Sequence, residues 1–242
     1  MIKKVIKRLL YKERSSSDDY IKYLRKKGMS IGKHTVIYSP NSVIIDETRP
    51  FLIDIGNHVK ITYGVVILTH GYDWSVLNVK YNDILGSSGK VKVGNNVFIG
   101  MKSIILKGVN IGDNVIIGAG SLVNKDIPNN VVVAGCPAKI ICSIEEYHKK
   151  RKEKQKKEAI ELAIEYYKKN KAWPSEQILR EFIFLFEKRE SSIKNNDTFK
   201  EIASINGNYL ETLQSFLDSK GEFNSYNSFI NYCKKVLKEE TE

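Results

Sequence analysis

The residues best equipped for chemistry in this 242-residue chain are its histidines and cysteines. Imidazole titrates close to physiological pH, so it can take a proton from a nucleophile and hand it on to a leaving group. There are four histidines, His34, His58, His70 and His148. His70 stands apart, in Leu68-Thr69-His70-Gly71-Tyr72-Asp73-Trp74, where a regular repeat meets a segment with no period. An imidazole base needs a partner to fix its tautomer; Asp73 is close in sequence and Asp54 lies in the repeat, and spacing assigns neither. Cys136, in Gly135-Cys136-Pro137-Ala138, is a candidate nucleophile without a paired base. With Cys142 and Cys233 the thiols number three, odd and without metal-ligand spacing, a pattern of reducing compartments.

What must position His70 is a repeat. An aliphatic residue returns every sixth position at Val93, Ile99, Ile105, Ile111, Ile117 and Val123, and Gly94, Gly100, Gly112 and Gly118 directly follow four of them. Six fits neither the 3.6 of a helix nor strand alternation. It is the signature of a parallel β-helix, each hexad supplying one short strand and one corner. The beat begins at Ile31, Ile37 and Val43, meets an irregular corner at Arg49-Pro50, and resumes without a slip at Ile55, Ile61 and Ile67. Residues 71–90 have no beat and read as a loop thrown out of the coil; long ordered loops are more often functional than idle.

Outside the coil the period is helical. Ile2, Val5, Ile6, Leu9 and Leu10 alternate with Lys and Arg over residues 2–14, an amphipathic basic helix that suits packing or in-plane contact with a membrane. Ser15–Asp19 reads as a cap, and Tyr20–Lys27 as a short helix ended by Gly28. Helical stripes follow the coil at Ile160/Leu162/Ala163/Ile164/Tyr167, Ile178/Leu179/Phe182/Ile183/Phe186, Leu210/Leu213/Phe216/Leu217 and Tyr226/Phe229/Ile230/Cys233/Val236/Leu237. The expected class is therefore mainly β: a β-helix over 29–142 with its loop at 71–90, N-terminal helices over 1–28 and an α-helical domain over 143–242. No run of 18 apolar residues exists, which excludes a spanning helix. The N-terminus lacks the features of a signal peptide, so a cytoplasmic location is expected, with the inner face of a membrane as a variant. The formal charge of +11 is concentrated in residues 1–30, which carry ten basic and three acidic side chains, and no nucleic-acid module accompanies it. Nucleic acid is not an expected partner.

The segments Val93-Gly-Asn-Asn-Val-Phe-Ile-Gly100, Ile105-Leu-Lys-Gly-Val-Asn-Ile-Gly112, Ile117-Gly-Ala-Gly-Ser-Leu-Val123, Asp126-Ile-Pro128 and Ala134-Gly-Cys-Pro-Ala-Lys139 follow in an order that resembles the hexapeptide-repeat acetyltransferases. The resemblance covers roughly residues 28–142. It implies a left-handed coil, a homotrimer, and acetyl-CoA bound in clefts between subunits. It also implies a catalytic histidine at the loop junction, here His70, serving as general base toward an acceptor hydroxyl. Phe98 stands where relatives often have Trp along the pantetheine tunnel. Gly100, Ala119, Gly120 and Ser121 match positions bordering coenzyme A, and Lys125 a position near its nucleotide. Cys142 stands where some relatives have Arg, and Lys139 is the substitute cation. Tyr72, Asp73 and Trp74 are candidates for the acceptor side, the two rings as a stacking wall for a sugar or as loop anchors.

No metal is expected. With the phase unbroken and three hexads per turn, His34 and His70 share a face two turns apart, on the order of 10 Å, while His58 lies on a different face; zinc holds its ligands about 2 Å away. The expected activity is acetyl-CoA-dependent O-acetylation of a carbohydrate, a capsular or lipopolysaccharide glycan, in a ternary complex without an acyl-enzyme. The Thr69-His70-Gly71-Tyr72-Asp73-Trp74 motif is closer to the surface-glycan branch of the resembling enzymes than to serine acetyltransferases. The alternatives are an N-acetyltransferase on a nucleotide-linked amino sugar or an antibiotic, and a non-catalytic trimeric scaffold.

Overall fold

The structure, a computed structural model, describes residues 10–239. The basic helix expected over residues 2–14 falls largely outside them; Lys12–Arg14 forms a 3-10 turn. Two compact units divide the chain, one ending at Tyr147 and one beginning at His148. Helix makes up 42% of the structure, so the coil shares the chain with a helical region of comparable weight, where the sequence suggested mainly β.

The first unit is a coil of three parallel sheets. Register stacks Ile31, Ile55, Val93 and Ile111 on the first sheet. Ile37, Ile61, Ile99, Ile117 and Val133 stack on the second. Ile45, Ile67, Ile105 and Val123 stack on the third. These side chains point inward and are buried, so the sixfold beat is the core itself. Corners explain the residues between the beats. His34, His58, Asn96, Asn114 and Asn130 adopt the left-handed backbone conformation at one corner. Beside them, side chains satisfy the backbone of neighbouring turns: Asn57 Oδ1 accepts from the Lys33 N–H at 2.8 Å, Asn95 Oδ1 from Asn57 at 2.9 Å and Asp113 Oδ1 from Asn95 at 2.6 Å. At the next corner a Cβ on Gly100 would sit 2.5 Å from the Ala119 nitrogen, too close to exist. The last coil strand, Val131–Ala134, pairs antiparallel with Lys139–Ser143, which closes that end.

The phase is not continuous, and here the structure corrects the sequence reading. The third-sheet position of the first turn is Ile45 rather than Val43, because Ile45 pairs with Ile67. That turn runs 24 residues from Ile31 to Ile55, not eighteen. Insertions after Ile37 and after Ile45 together lengthen it by one whole hexad, so the beat resumes as if unbroken. His34 and His58 consequently occupy the same corner on successive turns, their rings stacked at 4.8 Å. The inference that His34 and His70 share a face, with His58 elsewhere, is overturned.

Helix α1 (Ser17–Lys26) is capped by the Ser16 hydroxyl, which accepts from the Asp19 N–H, and buries Tyr20, Ile21 and Leu24. The extruded loop is more ordered than its sequence suggests. His70–Gly71 pairs antiparallel with Ser87–Ser88 to close its neck, and α2 (Trp74–Tyr81) occupies its interior. No residue of α2 is buried, so no apolar stripe marked it.

In the second unit, α3 (Ile144–Asn170) enters from the first, and α4 (Ile183–Phe186), α5 (Asp197–Ser204), α6 (Tyr209–Asp218) and α7 (Tyr226–Glu239) surround Phe186, Phe199, Phe216 and Phe229. The stripe expected as one helix from Ile178 is a 3-10 turn followed by the single turn α4, with Ile178 exposed. Helix α5, capped by the Asn196 side chain, was not expected.

Candidate functional site

His70 is placed where the third-sheet strand Val66–Ile67 fails to turn the next corner and feeds the loop neck. The Gly89 N–H bonds the Thr69 carbonyl at 2.9 Å, which pins the neck on both sides of the imidazole. On the turn before it, the strand Ile44–Ile45 continues into Asp46, whose N–H donates to the Ile67 carbonyl at 3.0 Å. The first-turn insertion thus delivers a buried carboxylate to the neck. Asp46 Oδ2 lies 2.7 Å from His70 Nδ1 and also accepts from the Thr69 hydroxyl. Its other oxygen accepts from the Thr48 N–H at 3.0 Å and the Thr48 hydroxyl at 2.6 Å.

Electrostatics fix the protonation pattern. Burial alone would raise the Asp46 pKa, but the bonds from Thr48, Thr69 and His70 outweigh it and hold the carboxyl far below the ordinary range. An ionised carboxylate only accepts, so His70 Nδ1 is the donor. Nε2 of the neutral ring then carries the lone pair, on a side chain one-third exposed. A base with a defined tautomer and an open nitrogen is what this arrangement offers.

The next residue locks the segment down. Glu47 accepts from Arg14 Nη2 at 2.8 Å, Tyr20 at 3.1 Å and Tyr23 at 2.9 Å. The Arg14 guanidinium also bonds the carbonyls of Pro40 and Val43, on the other insertion of the same turn, so it ties the two together. Burial pushes the Glu47 carboxyl up, and the Tyr23, Arg14 and Tyr20 bonds outweigh it, leaving it lowered.

Neither carboxylate considered in the sequence partners His70. Asp54 pairs with Lys90 Nζ at 2.5 Å. Asp73 stands at the N-terminus of α2 without capping it. A Cβ on Gly71 would collide with Asp73 Oδ1 and lie 3.4 Å from Lys107 Nζ, so carboxylate, glycine and ammonium share one small space beside the neck. Asp46, Thr69 and Lys107 were missed. Asp46 would have been found only by recognising that the first turn is 24 residues long. The Tyr72 and Trp74 rings pack against each other at 4.8 Å, with Tyr72 largely exposed.

The residues matched to the donor are spread over the second sheet, the corner that follows it and the far end of the third sheet. Phe98 faces outward on the second sheet between Lys60 and Ile116 and is 41% exposed. Ala119 and Gly120 are exposed at the corner leading to the third sheet, where the Gly120 N–H bonds the Met101 carbonyl at 2.7 Å. Gly100 is buried beneath them. Ser121 is buried, its hydroxyl donating to the Gly118 carbonyl at 2.6 Å. Lys125 is exposed beyond the third-sheet strand Leu122–Val123, and Lys139 is exposed opposite Ala134. Within one chain, therefore, Ala119 and Gly120 precede the third sheet and His70 follows it. Between them stretches that sheet's outer face of Ile44, Val66, Ile104 and Leu122.

The family model for bacterial transferase hexapeptide (six repeats) matches residues 90–125. Protein CapG of Staphylococcus aureus is 47% identical over 149 residues, which is 62% of this chain and 83% of that protein. The chain belongs to the hexapeptide-repeat acetyltransferase family. The galactoside O-acetyltransferase of Escherichia coli (strain K12) is 39% identical over 109 residues, 45% of this chain, which spans only about half, 51%, of that enzyme. A solved galactoside acetyltransferase in complex with coenzyme A is 35% identical, covering 49% of this chain and 56% of that one, with a TM-score of 0.37. The fold of this family member accordingly rests on its own sheet register. Among the described residues no group of three or more His, Cys, Asp or Glu is arranged to hold a metal ion.

Proposed function

We propose that the chain is an acetyl-CoA-dependent O-acetyltransferase that modifies a carbohydrate hydroxyl, the carbohydrate being a capsular or lipopolysaccharide glycan. The observation that carries the reading is the Asp46–His70 pair in the neck of the loop. Acetyl-CoA supplies an acetyl group already activated as a thioester. His70 Nε2 removes the proton from the acceptor hydroxyl as that oxygen attacks, and afterwards returns it to the departing sulfur. Asp46 holds the ring in the competent tautomer and stabilises the imidazolium formed in passing. Tyr72 and Trp74 offer ring faces for the sugar, and Asp73 and Lys107 polar contacts. Along the donor, Phe98, Gly100, Ala119, Gly120 and Ser121 form the wall, their small residues leaving backbone accessible, and Lys125 and Lys139 supply cations for its phosphates.

The left-handed coil works as a homotrimer in the cytoplasm, at the inner face of the membrane. Support for the trimer comes from apolar surface left bare on one chain. Ile44 and Ile104 are exposed on the third sheet, with Tyr38, Tyr63 and Met101 at its corner and Val76, Val79 and Tyr81 on the loop. A second copy seated on that face would bring its donor wall to the first copy's His70. The test is an acceptor screen with acetyl-CoA against sugars and oligosaccharides, reading thiol release. Acceptor-dependent release is expected with a glycan, whereas release only with amino sugars or antibiotics, or with nothing, would refute the reading.

A further inference from the structure

The helical unit has no part in the chemistry above, yet one of its faces walls a groove with a dense run of cations. Residues 148–157 carry seven basic side chains and one acidic one. Within them His148, Arg151, Lys152 and Gln155 recur at helical spacing and form a wall of a groove of about 880 Å³. A helix stripe that packs on its own domain is apolar; this one is polar and cationic. Opposite it stand Phe182, Phe184, Arg189 and Lys220. The half-buried Arg189 guanidinium lies 4.3 Å over the Phe216 ring and is held in place by the carbonyls of Phe184 and Glu187 and by the Ser219 hydroxyl. Arg151 is matched by Glu158, and the Glu222 carboxylate by Lys156. Among the described residues no carboxylate forms an ion pair within 4.0 Å of Lys152, Arg189 or Lys220, though Glu187 lies near enough to Arg189 to interact with its charge. Of the carboxylates lining the groove itself, Glu222 is matched by Lys156 and Glu181 is not, so cations outnumber it.

We propose that this groove binds an oligosaccharide bearing carboxylates, and that it is the docking site for the acceptor chain; the second clause rests on the acceptor being a carbohydrate. A guanidinium fixed in advance and the two exposed ammonium groups of Lys152 and Lys220 suit carboxylates spaced along a chain. Phe182 and Phe184 offer apolar surface for the carbon faces of sugar rings. The groove is concave and of the size of ligand sites rather than of a bilayer surface.

The test is titration calorimetry on the full chain with hexameric oligogalacturonate, neutral maltohexaose and a single-stranded oligonucleotide. Oligogalacturonate is expected to bind, more weakly as salt is raised, and maltohexaose is not. The double variant K152E/K220E should weaken binding at least tenfold, its neutral counterpart K152Q/K220Q by less, and K194E, on an exposed turn away from the groove, not at all. Circular dichroism confirms that each variant is folded. Absence of oligogalacturonate binding, equal binding of maltohexaose, equal loss with K194E, or tighter binding of the oligonucleotide would overturn the proposal. Coenzyme A titrated into the same samples keeps the two readings apart: coenzyme A binding without oligosaccharide binding refutes the groove alone.

Discussion

At the scale of residues, the site is a histidine whose orientation is set by a carboxylate that stays charged despite burial. Asp46→Asn should cut turnover roughly 100-fold or more, because an amide can offer its own N–H to Nδ1 and select the wrong tautomer. Coenzyme A binding should be unchanged when measured by calorimetry. The same side chain carries a pH signature. Its folded pKa is depressed from the ordinary 3.8, so its contribution to stability is fully present above that value and lost as pH falls through and below it. In acid-denaturation curves, the stability gap between the native chain and Asp46→Asn should be constant above about pH 5 and close below about pH 4. A gap that widened in acid would contradict the assignment. The sequence singled out His70 because the break in the hexads is local and visible. It hid Asp46 because partnership there depends on which turn lies above which.

At the scale of elements, the coil was legible because one aliphatic residue per hexad is both the pattern and the core. The exceptions have a common physical cause. Two insertions in the first turn add up to one hexad, so Val43 looks as well placed as Ile45, and both are buried. Helix α2 buries nothing and so left no stripe to read, and the break before α4 falls within an apolar run that helix and 3-10 turn share. The insertion that carries Asp46 depends on α1 and the arginine before it. Arg14→Ala removes bonds to a carboxylate and two carbonyls. It should destabilise the chain by about 1.5–3 kcal/mol, seen as a lowered urea midpoint. Tyr23→Phe deletes one of the Glu47 bonds and should cost about 1 kcal/mol. If Arg14 serves this insertion, turnover should fall with it while coenzyme A affinity holds; unchanged turnover would separate the latch from the site. At the corner, Gly100→Ala drives a methyl group into the Ala119 backbone and should cost at least about 1–3 kcal/mol in the same assay.

At the scale of the whole molecule, one chain carries Ala119 and Gly120 before its third sheet and His70 after it. Light scattering should return the mass of three chains. Ile104→Asp, which puts a charge in the middle of the bare aliphatic face, should shift that mass toward one chain and abolish turnover with His70 intact. A clean monomer of the native chain would undo the shared-site arrangement. The central claim, that His70 is the base of an acetyl transfer, is tested most directly by thiol release from acetyl-CoA in the presence of a productive glycan acceptor, native chain against His70→Ala. A fall of about 10²–10⁴-fold in turnover with coenzyme A binding preserved is the predicted result; turnover near that of the native chain would contradict it.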